Sequence, residues 1–184
     1  MLNQNKPFSI NNTPHIFLDI DGVFNSTVSA IYFHEKHNAM GTGGFFNPDE
    51  EAPSVENVLW DEDCIVLFAK LIKDTGAHIV MSSTWRKYYD IATFKAMFKL
   101  YEVENLKIVG YTPVLSPRHS RGNEIQQYVT ENNIFNYVIL DDDMSMLKNQ
   151  MPHFVNVNPE IGLSEKDCDK AKQILFNFSN HIAI

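Results

Sequence analysis

The sequence predicts an α/β protein, a mostly parallel sheet of about five strands with helices packed against it. Two observations carry this reading. Short apolar runs alternate with longer amphipathic stretches along the chain. That order, strand then helix repeated, implies right-handed crossovers between parallel strands. A third observation fits it. The chain has 184 residues, 44% of them hydrophobic, with 13 Phe, 7 Tyr and 2 Trp. This is enough for one ordinary core, so residues 1–184 are read as a single domain, and too little for two.

Each element has its own signal. Residues 15–20 are short, apolar and stopped by Asp21-Gly22, as in a buried strand. Residues 61–75 read as a helix, with Ile65, Phe68 and Ile72 on one stripe and Gly76 as the stop. Residues 77–82 form a second strand, 90–103 a helix and 106–111 a third strand. The stretch 121–132 is helical, with Ile125, Tyr128 and Val129 on one side. Residues 137–140 and 153–157 complete the strands. Ser164 is the N-cap of a last helix, with Asp167 at the capping-box position and Ala171, Leu175 and Phe178 as its stripe. Residues 26–58 break the alternation. They show no sustained periodicity and contain Gly41-Thr-Gly-Gly44 and Asn47-Pro-Asp-Glu-Glu-Ala-Pro53. The stretch is read as an irregular lid inserted after the first strand.

Composition narrows the function. Fifteen Lys and Arg against 23 Asp and Glu give a charge of −8. That disfavours charge-driven capture of nucleic acid or anionic membrane, so no extended nucleic-acid surface is expected. Cys64 and Cys168 have no C-x-x-C partner and are read as small core residues in a reducing compartment. The N-terminus lacks the apolar region of a signal peptide, and no run is long enough to span a membrane. The expectation is a soluble, cytoplasmic protein.

In a parallel sheet, ligands gather at the carboxyl ends of the strands. Here the first strand ends in Asp19-Ile-Asp21-Gly22, the second in Ser82-Ser83-Thr84-Trp85-Arg86 and the fourth in Asp141-Asp142-Asp143. Carboxylates crowded at one edge repel unless a cation neutralises them or some are protonated. Hard oxygen ligands suit Mg²⁺, and an Asp at such a site can itself be a nucleophile. Each signal also has a plainer reading: Asp-x-Asp-Gly as a turn, Ser82 to Thr84 and Asp141 to Asp143 as caps.

Phe17-Leu-Asp-Ile-Asp-Gly-Val23 resembles the first motif of the haloacid dehalogenase (HAD) superfamily of phosphatases. Ile79-Val-Met-Ser82 resembles its second motif and Val138-Ile-Leu-Asp-Asp142 its fourth. More narrowly, residues 82–86, 121–125 and 158–163 resemble HAD domains of Swiss-army-knife RNA-repair proteins and of small stand-alone bacterial and phage proteins. The resemblance implies a Rossmann-like sheet and a Mg²⁺-dependent phosphomonoesterase. Asp19 would attack phosphorus to form an aspartyl-phosphate, with Asp21 as general acid and base. Mg²⁺ would bind the Asp19 carboxylate, the Asp21 carbonyl and Asp141 or Asp142, with Asp141 preferred. Ser82 would bind a phosphoryl oxygen. The third motif, normally Lys, would fall to Arg121, with Arg118 and Arg86 as competitors. Ser83, Arg86 and Gly22 are expected to touch substrate. The RNA-repair resemblance points to a nucleotide or a nucleic-acid terminal phosphate, and the acidic charge favours a small substrate or a strand end only.

Lesser features carry less. His34 and His37 have H-x-x-H spacing with no partners to complete a zinc site. Gly41 to Gly44 lacks P-loop spacing. Trp85 fits core packing and pocket lining equally, while Tyr88 and Tyr89 could stack on a base but read as packing. The competing function classes are a phosphate-binding or phospho-accepting signalling module with little turnover, and a degenerate non-catalytic domain.

Overall fold

The computed structural model describes residues 13–37, 55, 58–116 and 118–181. Its strands are β1 (His15–Leu18), β2 (His78–Met81), β3 (Ile108–Tyr111), β4 (Tyr137–Asp141) and β5 (Phe154–Asn156). They form one five-stranded sheet in the order β3-β2-β1-β4-β5, every pair parallel. The helices are α1 (Thr27–His37), α2 (Glu62–Thr75), α3 (Ile91–Leu100), α4 (Arg121–Glu131) and α5 (Glu165–His181). The observed class is the predicted one, an α/β sheet with flanking helices.

Local chemistry sets the helix ends. The Asp61 carboxylate accepts from the Asp63 amide at 3.0 Å and starts α2, which ends where Gly76 turns left-handed. Asp90 accepts from Thr93 N–H at 2.7 Å to start α3. Ser164 and Asp167 bond reciprocally ahead of α5, the capping box that the sequence showed.

Alternation along the strands divides the core in two. Ile16, Leu18, Ile79, Met81, Val138 and Leu140 pack with Phe68 of α2, Phe98 of α3 and Leu175 of α5 in a large cluster that includes Phe24, Trp60 and Trp85. Their strand neighbours Phe17, Val80 and Ile139 face the other way, against Ile125 of α4, in a smaller cluster. Asp19, Ser82 and Asp141 lie two positions beyond Phe17, Val80 and Ile139, and so continue the α4 side. Because Leu18 is in register with Met81 on one side and Leu140 on the other, these three polar residues end adjacent strands side by side.

One sequence expectation fails in part. Residues 27–37, read as irregular, are the helix α1. Val28, Ile31 and Tyr32 all face solvent, 58%, 55% and 52% exposed, so these residues give no inward apolar stripe to announce the helix. It is anchored from outside itself: the Thr27 and Val28 amides donate to the Pro159 and Glu160 carbonyls at 2.9 and 3.1 Å. The rest of the expected lid, residues 38–54, lies outside the described residues, as does Gly41 to Gly44. His34 and His37 fall on α1, and their side chains are likewise not described.

Candidate active site

The site begins where β1 stops. The chain turns because the Val23 and Phe24 amides both donate to the Ile20 carbonyl, at 3.0 and 2.9 Å. Gly22 takes φ +72°, and a Cβ there would stand 2.6 Å from the Asp142 carboxyl carbon. A side chain at this position is thus excluded twice, by backbone strain and by the β4 loop. Gly22 brings the two acidic loops together, and no substrate contact is needed to explain it.

Asp19 stays locked beside β4 through its amide, which donates to the Leu140 carbonyl at 3.0 Å. Its carboxylate is buried. Arg121 Nη1 lies 3.1 Å from Asp19 Oδ1 and donates to Asp141 Oδ2 at 2.8 Å. Arg121 occupies the first position of α4. That end is fixed by the Ser120 N–H bond to Asn123 Oδ1 (3.0 Å) and by Gly122, whose carbonyl accepts from Gln150 Nε2 at 2.8 Å. A cation at a helix N-terminus opposes the dipole, and here two aspartates offset that cost. Of the three arginines that the sequence offered, Arg121 is the one that the structure sets against Asp19 and Asp141. Arg118 is exposed.

Arg86 is a correction. Its five N–H donors all go to protein acceptors: Nε to the Thr112 carbonyl at 3.0 Å, Nη1 to Ser82 and Ser83 carbonyls at 2.6 Å each, Nη2 to the Pro113 carbonyl at 3.3 Å and to Glu124 Oε2 at 2.6 Å. With its side chain 2% exposed, it has no donor left for substrate. Ser83, also expected to touch substrate, instead caps the 3-10 turn Thr84–Lys87, its Oγ accepting from the Trp85 amide at 3.4 Å. Ser82 differs. Its hydroxyl is fully buried and has no hydrogen-bond partner among the described residues, although its backbone is held at both ends. A buried unpaired hydroxyl at a strand end is costly unless something else bonds to it.

Asp21 is reached from the opposite side. Its Oδ1 accepts from Asn25 Nδ2 at 2.7 Å and its Oδ2 from Trp85 Nε1 at 3.0 Å. Trp85 thus serves both roles that the sequence left open, packed in the large core yet bonded into the site. Tyr89 packs on Trp85 and Phe94, and burial pushes its hydroxyl up to about 12. Tyr88 is 42% exposed.

Asp19, Asp141 and Asp142 each offer a carboxylate oxygen within 4.8 Å of the others. Burial, then the charge of Asp19, raises the Asp141 carboxyl well above its usual range against the pull of Arg121, and burial and Asp19 also raise Asp142. For Arg121, burial opposes the charge, but Asp19 and Asp141 outweigh it and the net shift is upward. An all-oxygen cluster that resists carrying its full negative charge is a fitting place for a hard cation. Asp143 lies outside it. Its amide donates to Asp141 Oδ1 at 2.9 Å and its carboxylate turns to Ser145.

Comparison with known protein families adds an independent observation. Residues 15–168 match the family described as the HAD domain in Swiss Army Knife RNA repair proteins. The chain belongs to this family. No curated protein and no solved structure matches it. Membership supports a hydrolase of the phosphatase kind, and the acidic cluster of this HAD domain can hold a metal ion. Among the described residues, no helix is long and apolar enough to cross a membrane. Two residues that shape the site had no role in the sequence reading: Asn25, and Glu124 of the 121–125 motif. The first sits in the turn that Gly22 opens, and the second one turn along α4 from Arg121.

Proposed function

We propose that this HAD domain is a Mg²⁺-dependent phosphomonoesterase that works through an aspartyl-phosphate on Asp19. The observation that carries the reading is the surroundings of Asp19: a nucleophile-capable carboxylate beside Arg121, in register with the unpaired Ser82 hydroxyl. An anionic phosphoryl group fits between a guanidinium and a hydroxyl donor.

In the first step an Asp19 carboxylate oxygen attacks phosphorus, and the bond from phosphorus to the leaving oxygen breaks. Asp21 gives that oxygen its proton. In the second step water attacks the same phosphorus, Asp21 takes the water's proton, and the Asp19–phosphorus bond breaks. Inorganic phosphate leaves and both aspartates return to their starting states. Trp85 and Asn25 each donate to a separate Asp21 oxygen and so hold its carboxyl group in place for the proton transfers. Ser82 donates to one phosphoryl oxygen and Arg121 to another.

Bound Mg²⁺ would offset the charge shared by the phosphoryl oxygens and the aspartates. Asp19, the Asp21 carbonyl and Asp142 are its proposed holders. Asp142 is preferred over Asp141, because Asp141 already accepts from Arg121 and from the Asp143 amide. The proposed substrate is a nucleotide or a nucleic-acid terminal phosphate. Family membership supports it, and the charge of −8 favours a small molecule or a strand end over a long duplex.

The test is phosphate release from nucleoside monophosphates, 3′- and 5′-phosphorylated oligonucleotides and sugar phosphates, with Mg²⁺ and with chelator. Asp19→Asn is expected to lose activity by about 10⁴-fold or more while remaining folded. Full activity in folded Asp19→Asn overturns the mechanism, and release from sugar phosphates alone overturns the substrate class.

A further inference from the structure

Arg86 and Glu124 form an ion pair at 2.6 Å, with side chains 2% and 12% exposed. Glu124 spends its other oxygen on the Leu115 amide, at 3.1 Å. Between them the two side chains join three segments: the end of β2, the 112–115 loop after β3, and the first turn of α4. Replacing a buried ion pair with apolar residues is often neutral for stability, so stability alone does not account for such complete pairing. Its geometry does suggest a purpose. Arg86 Nη1 grips the backbone carbonyl of Ser82 itself, and Glu124 lies one turn along α4 from Arg121. The clamp therefore fixes the Ser82 loop and the N-terminal turn of α4 relative to each other.

We propose that Arg86 and Glu124 are positioning residues: they hold Ser82 and Arg121 at the separation a phosphoryl group on Asp19 requires, and neither touches substrate. The proposal rests on the phosphatase reading for its chemistry. It goes beyond that reading in assigning the Arg86–Glu124 pair a geometric task. Lysine cannot do the same work, because one ammonium has no planar fork with which to reach Glu124 and carbonyls from two strands together. A misplacement of about 1 Å at such a site can cost as much as 10²-fold in rate.

The experiment compares Arg86→Lys and Glu124→Gln in two backgrounds, wild type and Ser82→Ala, at a temperature where circular dichroism shows all variants folded. In the wild-type background kcat is expected to fall about tenfold or more with KM within about threefold. In the Ser82→Ala background the same changes are expected to cost clearly less than in the wild type, because one of the two groups they position is gone. Equal losses in both backgrounds, a rise in KM alone, or no loss at all overturns the proposal. If Arg86→Lys fails to fold, Glu124→Gln carries the comparison. Binding of inorganic phosphate, measured by calorimetry on the same proteins, separates this proposal from the phosphatase reading. A wild type that hydrolyses nothing ends that reading. Phosphate affinity that falls about tenfold in Arg86→Lys, and by less when Ser82 is already Ala, still supports positioning. A wild type that neither hydrolyses nor binds phosphate overturns both.

Discussion

The two faces of one sheet are built in different ways. On one, alternate strand residues bury into a large aromatic cluster, where Phe24, Phe68 and Phe98 meet edge-on or stacked at 5.2 to 5.9 Å. On the other, the same strands face only a small cluster under α4. Past its end the residues turn polar, and each is held by hydrogen bonds and ion pairs. The first face supplies burial, which is tolerant of detail. The second supplies position, which is not. Asp19 and Asp21, two residues apart, are addressed from opposite sides, Asp19 by Arg121 of α4 and Asp21 by Trp85 of the aromatic core. The chemistry sits where the two modes of construction meet.

The largest expected effect separates the faces outright. Phe68→Ala removes a fully buried ring from the large cluster and is expected to cost about 3–5 kcal/mol. Thermal melting should then fall by about 6–20 °C. Turnover per folded molecule, assayed well below the melting point, should be unchanged, and a matching loss of kcat would show that the large core also positions the site. Next is the bond that crosses between faces. Trp85→Phe keeps the packing and deletes the N–H to Asp21, and kcat is expected to drop on the order of tenfold with little change in KM. A lowered melting point with unchanged kcat would make that bond purely structural.

Removing charge should have opposite effects on stability and on metal binding. Asp142→Asn relieves repulsion in the acidic cluster, so without metal its melting point is expected to rise by about 2–4 °C, roughly 1 kcal/mol. The further rise that Mg²⁺ gives the wild type should disappear. A melting point that falls without metal, or a Mg²⁺ shift that survives, would place the ion elsewhere. The smallest effect is one of pH on the α4 side. His153 stacks on Tyr137 with ring centres 4.0 Å apart, its Nδ1–H donating to the Tyr137 carbonyl at 2.9 Å. Burial lowers its pKa from 6.5, the carbonyl bond pulling the other way. Its contribution is therefore present above pH 6.5 and lost as pH falls through the lowered folded value. Asp141 and Asp142, with raised values, act in the opposite sense, so the comparison must be between proteins. His153→Gln should show a shallower loss of melting temperature from pH 7 to pH 5 than the wild type. Parallel curves would remove His153 from the account.

The fold was legible because buried parallel strands write themselves as short apolar runs. The strand-end aspartates and Ser82 stood out because polar residues at those ends have few structural uses. Arg121 could be named only with rivals, since no spacing rule tells which arginine a helix start will bring to a carboxylate distant in sequence. Arg86 was misread for a related reason: its acceptors are backbone carbonyls, which every residue has and no sequence marks. Helix α1 was hidden because Val28, Ile31 and Tyr32 point outward, and Trp85 stayed ambiguous because an indole can pack and donate at once.

The strand order β3-β2-β1-β4-β5 has a consequence for the making of the molecule. The central strand is the first of these five to be synthesised, yet its partners begin at residues 78 and 137. A nascent chain therefore carries β1, four buried residues long, with both hydrogen-bonding edges open until those partners emerge. Such non-local parallel pairing is slow, and open strand edges invite misassociation in the interval. The acidic cluster cannot exist before Asp142 has left the ribosome. Any cation held there would thus arrive after β1, β2 and β4 have been made, and would not be the seed around which they form.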